Sequence, residues 1–581
     1  MCFLIYLIIY YLTSKHQPGD EWAAMVMSCD ESATAANSTA TEISSIHGYG
    51  WSASEEGISF YLVIFLTLLA LDLVLCKLLR DSRRLASALP EAALTILIGS
   101  VAAFIVRVIT PTKDANALLT FSPTTFFTAL LPPIIFNSGY QLKRELFFDQ
   151  IGPIVSLACF GTAISAVVVS VSLKIMVAIG LTEFAPSFTE LLTFGALISA
   201  TDPVSTLAVF HAKKVEPRLF YLVFGESVLN DAVGLLLFNA LSKFVGNEDN
   251  FEKVTVALAK FVIDLLITSS GSLCLGLLSG LIAGWILKVT DMRNVGVIEL
   301  SLYVLTMYLP FFIAETLHLS GIVTILFSGM SANRYAAPNL SRGTRIQAKA
   351  IFRVFAHLAE SSIFLELGLS IFGLASRGNF HGKFIACAML ACLMGRAANV
   401  YPITTAWNRL VERNRSHDAG TGRSKGSKSD RPIDRSTAHM VWFSGLRGAV
   451  AYACAKTFPD ANGHRTAFCI STMVIVLVTV CLFGGTTEIL LDALRIDLGI
   501  DEDEYQRGEG RQSFGIIQTF EERFVFPWVL RDWGARGVSH NEGEKDMRLK
   551  TSRSFEEMVG REAQVRMQGH DITARDGHEL T

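Results

Sequence analysis

The residues best suited to chemistry lie in the stretch FGESVLNDA, Phe224–Ala232, inside an otherwise apolar segment. Glu226 and Asn230 are four residues apart and share one face of a helix. Ser227 and Asp231 form a second such pair one position around the helix. An ionised side chain near the middle of a bilayer costs roughly 2.5–3.5 kcal/mol on insertion scales. A helix that carries two carboxylates there most simply uses them to hold a cation or a proton. These four residues, which we call the polar stripe, therefore predict an ion-binding site.

A second polar group precedes this stripe, in the stretch SATDPV at residues 199–204. Pro203 cannot donate the helical hydrogen bond, and it disfavours helical geometry at the residue before it. Thr201 and Asp202 are therefore predicted to lie at a helix break, where freed carbonyls and half-helix ends bind ions. The alternative is an ordinary proline kink capped by Asp202.

A second break is predicted at SGLRGA, residues 444–449, where two glycines flank Arg447 within an apolar segment. Counted along the chain, this segment is the twelfth and the one holding Asp202 is the fifth. The segments that follow them, the thirteenth and the sixth, are likewise seven apart. If spans 1–6 and 8–13 are inverted repeats joined by span 7, the two breaks fall at corresponding positions. That arrangement is typical of transporters whose site lies between two broken helices.

Charged side chains also interrupt other apolar segments: Glu360, Glu366, Arg396 and Arg447. A buried arginine needs a carboxylate, and Glu226 and Glu360 are the two acids that the chain offers for the two arginines. Such pairing leaves Asp231, together with Asp202, as the unpaired acids and predicted ligands of a metal cation. The alternative is that all these charges form one static structural network.

Composition places these motifs in an all-α polytopic membrane protein. Of 581 residues, 51% are hydrophobic and 18% are charged, whereas soluble domains carry about 25% charged residues. Apolar segments long enough to cross the hydrocarbon core of about 30 Å begin near residue 57 and end near 492. About 13 are predicted, at approximately 57–79, 90–109, 123–140, 151–180, 190–211, 219–246, 254–289, 298–317, 319–333, 349–375, 382–408, 437–457 and 466–492.

The distribution of basic residues predicts the topology. Lys and Arg concentrate in alternate loops, from Lys77–Arg84 after the first span to Arg409–Arg435 after the eleventh, and the opposite loops hold few. This alternation continues through the chain only if the long segment 254–289 is one span, so a single span is predicted. By the positive-inside rule the C-terminus is cytosolic and the N-terminal region luminal or extracellular.

The transmembrane domain, residues 57–492, has polar regions on both sides. Residues 1–56 are predicted to be a luminal segment; for the short apolar start Met1–Leu12, a cleaved signal, an interfacial segment and a misplaced start all remain open. Residues 493–581 are predicted to be a cytosolic tail. Its apolar part, Phe514–Trp533, must pack either on the membrane surface or against the transport domain.

Several function classes lack support in the sequence. No phosphate-binding loop, zincin or serine-nucleophile motif is present, so no enzyme chemistry is predicted. The ten cysteines are scattered without metal-ligand spacing. Neither a cofactor nor a nucleic-acid partner is expected.

Long motifs in the chain resemble, in order, the membrane motifs of eukaryotic sodium/proton exchangers. They are FTALLPPIIFNSGYQLKRELFFDQIGPI, FGALISATDPVSTLAVF, LVFGESVLNDAVGLLLFN, ETLHLSGIVTILFSGM and WFSGLRGAVAYA. The resemblance covers about residues 57–492, and the motif variants look most like the Golgi and endosomal branch. It implies a core domain with crossed discontinuous helices, a dimerisation domain with homodimer formation, and elevator-type alternating access. It also implies an organellar location, with the plasma membrane as the alternative, and cytosolic regulators at the tail.

The resemblance also assigns roles to individual residues. Asp231 matches the ion-binding carboxylate, Asn230 its neutral partner, and Asp202 and Ser227 residues that line the site. The matching buried ion pairs are Glu226 with Arg396 and Glu360 with Arg447. Two positions depart from the family pattern: Ser444, where plasma-membrane members carry glycine, and Glu366, near a position that is usually apolar.

The predicted function is secondary active antiport of Na⁺, K⁺ or both against H⁺. Because Asn230 stands where a second acid would add a charge, the Asn230–Asp231 pair offers one titratable group, and exchange is predicted to be electroneutral. A K⁺-selective K⁺/H⁺ exchanger is the nearest alternative. A cation channel, which would pass net current, and a membrane scaffold with a vestigial site are the others.

Overall fold

The computed structural model describes residues 62–79, 81, 90–109, 122–202, 204–246, 251–375, 380–420, 432–502, 505 and 519–531. These residues form helices and connecting turns, with no strand among them. The helices are α1 (Leu62–Leu79), α2 (Glu91–Ile109), α3 (Leu131–Gln141), α4 (Arg144–Asp149), α5 (Ile151–Ala178), α6 (Phe188–Ser199), α7 (Val204–Lys213), α8 (Pro217–Ser242), α9 (Phe251–Thr290), α10 (Gly296–Thr316), α11 (Gly321–Ser331), α12 (Arg342–Ala375), α13 (Gly382–Gly420), α14 (Arg435–Phe443), α15 (Ala449–Lys456) and α16 (Arg465–Ala493).

Shorter helical pieces accompany these helices. Single π-helical turns precede α3, interrupt α5 and follow α11, at Phe126–Leu130, Ser156–Gly161 and Ala332–Ala336. The tail contributes one more helical segment, residues 519–529, which includes Glu521–Val525 and Phe526–Val529. We call it the tail helix.

Nine helices in the described part of the chain are long and apolar enough to cross a membrane: α1, α2, α5, α8, α9, α10, α12, α13 and α16. The expected class, an all-α polytopic membrane protein, is confirmed. The long apolar segment 254–289 forms the single helix α9, as predicted. The total of about 13 spans and the inverted repeats stay predictions. The predicted luminal segment, residues 1–56, and most of the predicted tail, residues 493–581, lie outside the described residues.

Two helices are interrupted in the middle of the protein, where the sequence predicts breaks. The first interruption separates α6 from α7, with Ala200, Thr201 and Asp202 in non-helical conformation. The second separates α14 from α15 at residues 444–448. The two breaks touch, because the backbone N–H of Asp202 donates to the carbonyl of Leu446 at 2.9 Å. The discontinuous helices therefore meet at their breaks, as expected.

Local sequence signals explain where α6 and α8, the helices next to the site, begin. A capping box begins α6, in which Ser187 Oγ accepts from the Glu190 N–H at 3.2 Å and the Glu190 carboxylate accepts from the Ser187 N–H at 2.9 Å. Pro217 occupies the first turn of α8, where its missing N–H is not needed. From there α8 runs without interruption for 26 residues, so the polar stripe stays on one continuous helix.

Candidate functional site

A cavity of about 110 Å³ lies beside the crossing of the two breaks. It has room for several water molecules. Its walls come from α3, α8, α12 and α15, from the π-helical turn before α3, and from the first break with α7. The polar side chains that line it are Ser138, Asp202, Ser227, Asp231 and Glu360, and the other lining residues are apolar. The structure therefore gathers three carboxyl groups around one small, mainly apolar space.

Asp231 is the acid in this cavity that keeps a buried oxygen atom, Oδ1, without a hydrogen-bond partner in the described part of the chain. Asp202 and Glu226 are its electrostatic neighbours. A buried polar atom without a partner is costly, and native proteins keep such atoms mainly where a ligand or water completes them. Asp231 is thus placed to take up a proton or a cation.

A second feature of the site is a bridge between the first break and α8, built by Asn230. Its Nδ2 donates to Thr201 Oγ1 at 2.5 Å, and its Oδ1 accepts from the Thr201 N–H at 3.3 Å. The hydroxyls of Thr201 and Ser227 lie 3.4 Å apart. Asn230 and Thr201 are completely buried. The neutral amide therefore ties the broken helix to α8 next to Asp231.

Glu226, the second acid of the stripe, is neutralised by Arg396 of α13. The two groups make a two-point ion pair, with Nη1 to Oε1 at 2.6 Å and Nη2 to Oε2 at 2.9 Å. Asn230 Nδ2 also donates to Glu226 Oε1 at 2.9 Å, the i,i+4 contact that the sequence spacing indicates. Arg396 Nη2 also donates to the Val441 carbonyl at 2.8 Å. The structure thus forms the predicted Glu226–Arg396 pair and leaves Asp231 outside it.

The predicted pair of Glu360 with Arg447 is corrected by the structure. Arg447 Nη1 donates to the carbonyls of Ser199 and Ala200, at 3.0 and 3.4 Å, and within the described residues no ion pair joins it to Glu360. The physical reason is that the end of α6 frees carbonyls that can accept from a buried guanidinium. Glu360 lines the cavity instead, as an electrostatic neighbour of Asp202.

The two glycines of SGLRGA make room for this arrangement. A Cβ added at Gly445 would lie 2.5 Å from Arg396 Nε, and one added at Gly448 would lie 2.0 Å from Asp202 Cβ. Both distances are too short for carbon to occupy. The motif therefore needs glycine on each side of Arg447 so that the second break can approach both Arg396 and Asp202.

Some residues of the site are not predicted by the sequence analysis. Ser138 of α3 lines the cavity, and its signal is weak, a serine beside Asn137 after an apolar run. Thr479 of α16 accepts from the Arg447 N–H at 3.2 Å, and nothing in its apolar surroundings marks it. Glu366, which has no predicted role, is buried away from the cavity as an electrostatic neighbour of Tyr452.

The polar atoms that line the cavity are carboxylate and hydroxyl oxygens. Carboxylate, hydroxyl and amide oxygens are the ligands of hard cations. Among the residues that the structure describes, no group of three or more His, Cys, Asp or Glu side chains is arranged to hold a metal ion. Asp231 and Asp202 are the two carboxylates predicted as cation ligands, and both line the cavity.

Comparison with known proteins identifies the family. The family model described as "Sodium/hydrogen exchanger, transmembrane" matches residues 69–493. The chain belongs to the sodium/hydrogen exchanger family. The resemblance found in the sequence motifs is thereby confirmed, and the family is one of cation/proton antiporters rather than of enzymes.

Curated relatives of this exchanger agree. An uncharacterised Na⁺/H⁺ antiporter of Schizosaccharomyces pombe is 34% identical over 451 residues, which are 78% of this chain and 76% of that protein. Sodium/hydrogen exchanger 9 of Rattus norvegicus is 37% identical over 404 residues, which are 68% of this chain. The matched region spans 60% of the length of that rat exchanger.

A solved structure with the same fold is the sodium proton antiporter MjNhaP1 of Methanocaldococcus jannaschii. It matches with a TM-score of 0.50 at 18% identity, over 75% of this chain and 99% of that protein. The match supports the antiporter fold of this exchanger. Family, fold and apolar spans together make it a multi-pass membrane protein that exchanges cations for protons.

Proposed function

We propose that the protein exchanges one Na⁺ or K⁺ for one H⁺ without net charge movement, with Asp231 binding the proton and the cation in turn. The observation that carries the proposal is the buried, unbonded Oδ1 of Asp231 at the cavity. Asp202, Ser227 and Thr201 supply further oxygens nearby. Proton and cation compete for the same carboxylate, so loading one requires release of the other.

The charges around Asp231 support a one-for-one exchange. Glu226 is held by Arg396 through two hydrogen bonds, so it is not free to bind a second ion. Asn230 is neutral and is used in the bridge to Thr201. One carboxylate of the stripe then remains for transport. If it carries a proton in one direction and a monovalent cation in the other, no net charge crosses in a full cycle.

The contacts between the two breaks support alternating access in which the two broken helices move together as one rigid unit. The Asp202–Leu446 backbone bond and the Arg447 bonds to Ser199 and Ala200 hold the two broken helices together. A unit tied in this way can carry the site from one side to the other as one body. An elevator movement of this core against a dimerisation domain, in a homodimer, is the form that we propose.

The proposed setting is a Golgi or endosomal membrane, where the protein would adjust organellar pH and cation content. Residues 57–492 form the transport domain, with residues 1–56 luminal and 493–581 cytosolic, where regulators would bind. The positive-inside pattern supports this orientation.

The test is proton movement in acid-loaded proteoliposomes that contain a pH-sensitive dye. Adding Na⁺, K⁺ or Li⁺ outside should alkalinise the lumen, and the rates rank the cations. Asp231→Asn should abolish the response. Asp264→Asn is the matched control, because Asp264 lies exposed on α9 and outside the cavity, and it should leave the rate unchanged.

Other outcomes separate the alternatives. A response to K⁺ alone would make the protein a K⁺/H⁺ exchanger with the same site. A cation current without proton movement would make it a channel. Retained exchange in Asp231→Asn would overturn the assignment of Asp231.

A further inference from the structure

The tail helix packs one face against the transport domain. Phe526, Val529 and Leu530 are buried in a cluster with Tyr335, just beyond the end of α11. Gly284 of α9 lies against Val529, since a Cβ added there would come within 2.6 Å of Val529 Cγ1. Part of the tail is therefore seated on α9 and on the segment that follows α11. Sequence alone leaves open whether the tail meets the transport domain or the membrane.

Polar contacts hold both ends of this segment. Glu521 pairs with Arg144, lies 3.3 Å from Arg334 Nη2, and accepts from Tyr335 Oη at 2.7 Å. At the other end, Arg531 pairs with Asp291.

The backbone of the tail helix is also bonded to the transport domain. Lys288 Nζ at the end of α9 donates to the carbonyls of Pro527 and Trp528, at 2.6 and 3.2 Å. Asn339 Nδ2 donates to the Val529 carbonyl at 2.8 Å. These contacts fix the rotation of the helix about its own axis, and hence which side chains face outward.

Three aromatic side chains face outward. Phe520, Phe524 and Trp528 recur every four residues and are 57%, 56% and 75% exposed. Arg523 lies among them, with its guanidinium 5.8 Å from the Phe524 ring centre. A row of large aromatic rings with a neighbouring arginine is unusual on a surface that faces water.

The surface beside this row is the exposed, apolar end of α9. Trp285 and Val289, within one turn of Lys288, are 52% and 63% exposed. Only 22% of the apolar window of α9 is buried inside the protein, so most of the apolar surface of this helix is exposed, and the helix is long enough to cross a membrane. Because Lys288 also holds the Trp528 carbonyl, Trp528 lies beside the end of this apolar span, Ile263–Thr290. Tryptophan and arginine side chains are typical of the ends of membrane spans.

We propose that the tail helix is an interfacial helix, whose outward row Phe520, Phe524 and Trp528 lies in the headgroup region of the bilayer beside α9. One face binds the transport domain and the other binds lipid, so the helix fixes the end of α9 relative to the membrane. The continuity of the row with the exposed, apolar end of α9 favours lipid over a protein partner as the occupant.

The test is fluorescence quenching of Trp528 in the full-length protein reconstituted in liposomes. The chain has seven tryptophans, so the Trp528 signal is obtained as the wild-type emission minus that of Trp528→Phe. This conservative variant keeps an aromatic ring and is expected to fold. Two quenchers are compared: phosphatidylcholine brominated near the headgroup end of its acyl chains, and acrylamide dissolved in water.

The proposal expects the Trp528 emission to be lost in brominated bilayers and to resist acrylamide. The same subtraction with Trp285→Phe provides the lipid-facing reference. Quenching of Trp528 by acrylamide but not by brominated lipid would overturn the proposal and leave the row open to a soluble partner. Resistance to both quenchers would also overturn it, since a protein surface, such as a second copy of the chain, would then cover the row.

Discussion

Arg396 and Glu226 form a buried two-point ion pair between α13 and α8, with donor–acceptor distances of 2.6 and 2.9 Å. The pair neutralises one of the two acids of the polar stripe. It also joins two helices that meet beside the site. Removing one partner would leave a charged group buried without its counter-ion, which costs about 3–5 kcal/mol.

We therefore expect Glu226→Gln and Arg396→Gln each to lower the melting temperature of the purified protein strongly. The double variant should lose less than the sum of the two single losses, because neither charge is then left alone. Thermal unfolding in detergent, followed by fluorescence-detected size exclusion, measures all four proteins of the cycle. Strictly additive losses would mean that the two groups do not interact.

Gly448→Ala is expected to disturb the crossing of the two breaks. The added Cβ would lie 2.0 Å from Asp202 Cβ, so Asp202 or the second break must move. Overpacking of this kind costs about 1–3 kcal/mol, and exchange should fall sharply because Asp202 lines the cavity. Gly343→Ala is the control, since an added Cβ there meets nothing within 4 Å. Equal exchange rates for the two variants would contradict this account of the crossing.

Glu366→Leu is expected to stabilise the protein. Glu366 Oε2 is buried without a hydrogen-bond partner in the described part of the chain, and the side chain lies outside the cavity. Replacing it with an apolar side chain of similar size removes a polar group whose burial costs about 1–3 kcal/mol. The melting temperature should rise in Glu366→Leu and not in Glu366→Gln. Both variants should retain exchange activity. A loss of stability in the leucine variant would show that the carboxyl has a binding role.

Docking of the tail helix is expected to weaken in acid. Burial raises the pKa of Glu521, but hydrogen bonds from Arg144 and Tyr335 and the charges of Arg144 and Arg334 outweigh it, so the pKa is lowered from 4.5. A lowered pKa means that the docked state favours the carboxylate. The stabilisation is therefore present above pH 4.5 and is lost as the pH falls through the lowered value.

Hydrogen exchange of residues 519–531, corrected for the intrinsic effect of pH, measures this docking. Protection should be constant from neutral pH down to about pH 5 and decrease in stronger acid. Glu521→Gln should decrease protection between neutral pH and about pH 5, by about 1.5–3 kcal/mol for the loss of charged hydrogen bonds. Unchanged protection in Glu521→Gln would show that the apolar face alone holds the helix.

Much of the site follows from sequence spacing because its key contacts are local. The Asn230–Glu226 hydrogen bond is an i,i+4 contact on one helix, and Pro203 indicates the break at which Thr201 and Asp202 lie. The alternation of basic loops likewise predicts that α9 is a single span, although its length alone allows two shorter ones. These features need only helical geometry, the backbone chemistry of proline and the distribution of charge among the loops.

Contacts between distant segments are less accessible to sequence reasoning. Arg447 is satisfied by the carbonyls of Ser199 and Ala200, which become available only where the two breaks meet. The rule that a buried arginine needs an acid left the pairing open, and the pair with Glu360 that the family resemblance implies does not form. The tail helix shows the same limit, because only its contacts with Lys288 and Asn339 determine which aromatic face points outward.

The most direct test of the central claim is the stoichiometry of exchange through Asp231. Proteoliposomes are given opposing cation and proton gradients, and the membrane potential is clamped at several values. If one cation exchanges for one proton, net proton movement should stop when the two gradients are equal, at every potential, and Asp231→Asn should show no movement. A balance point that shifts with the potential would contradict electroneutral exchange at a single carboxylate.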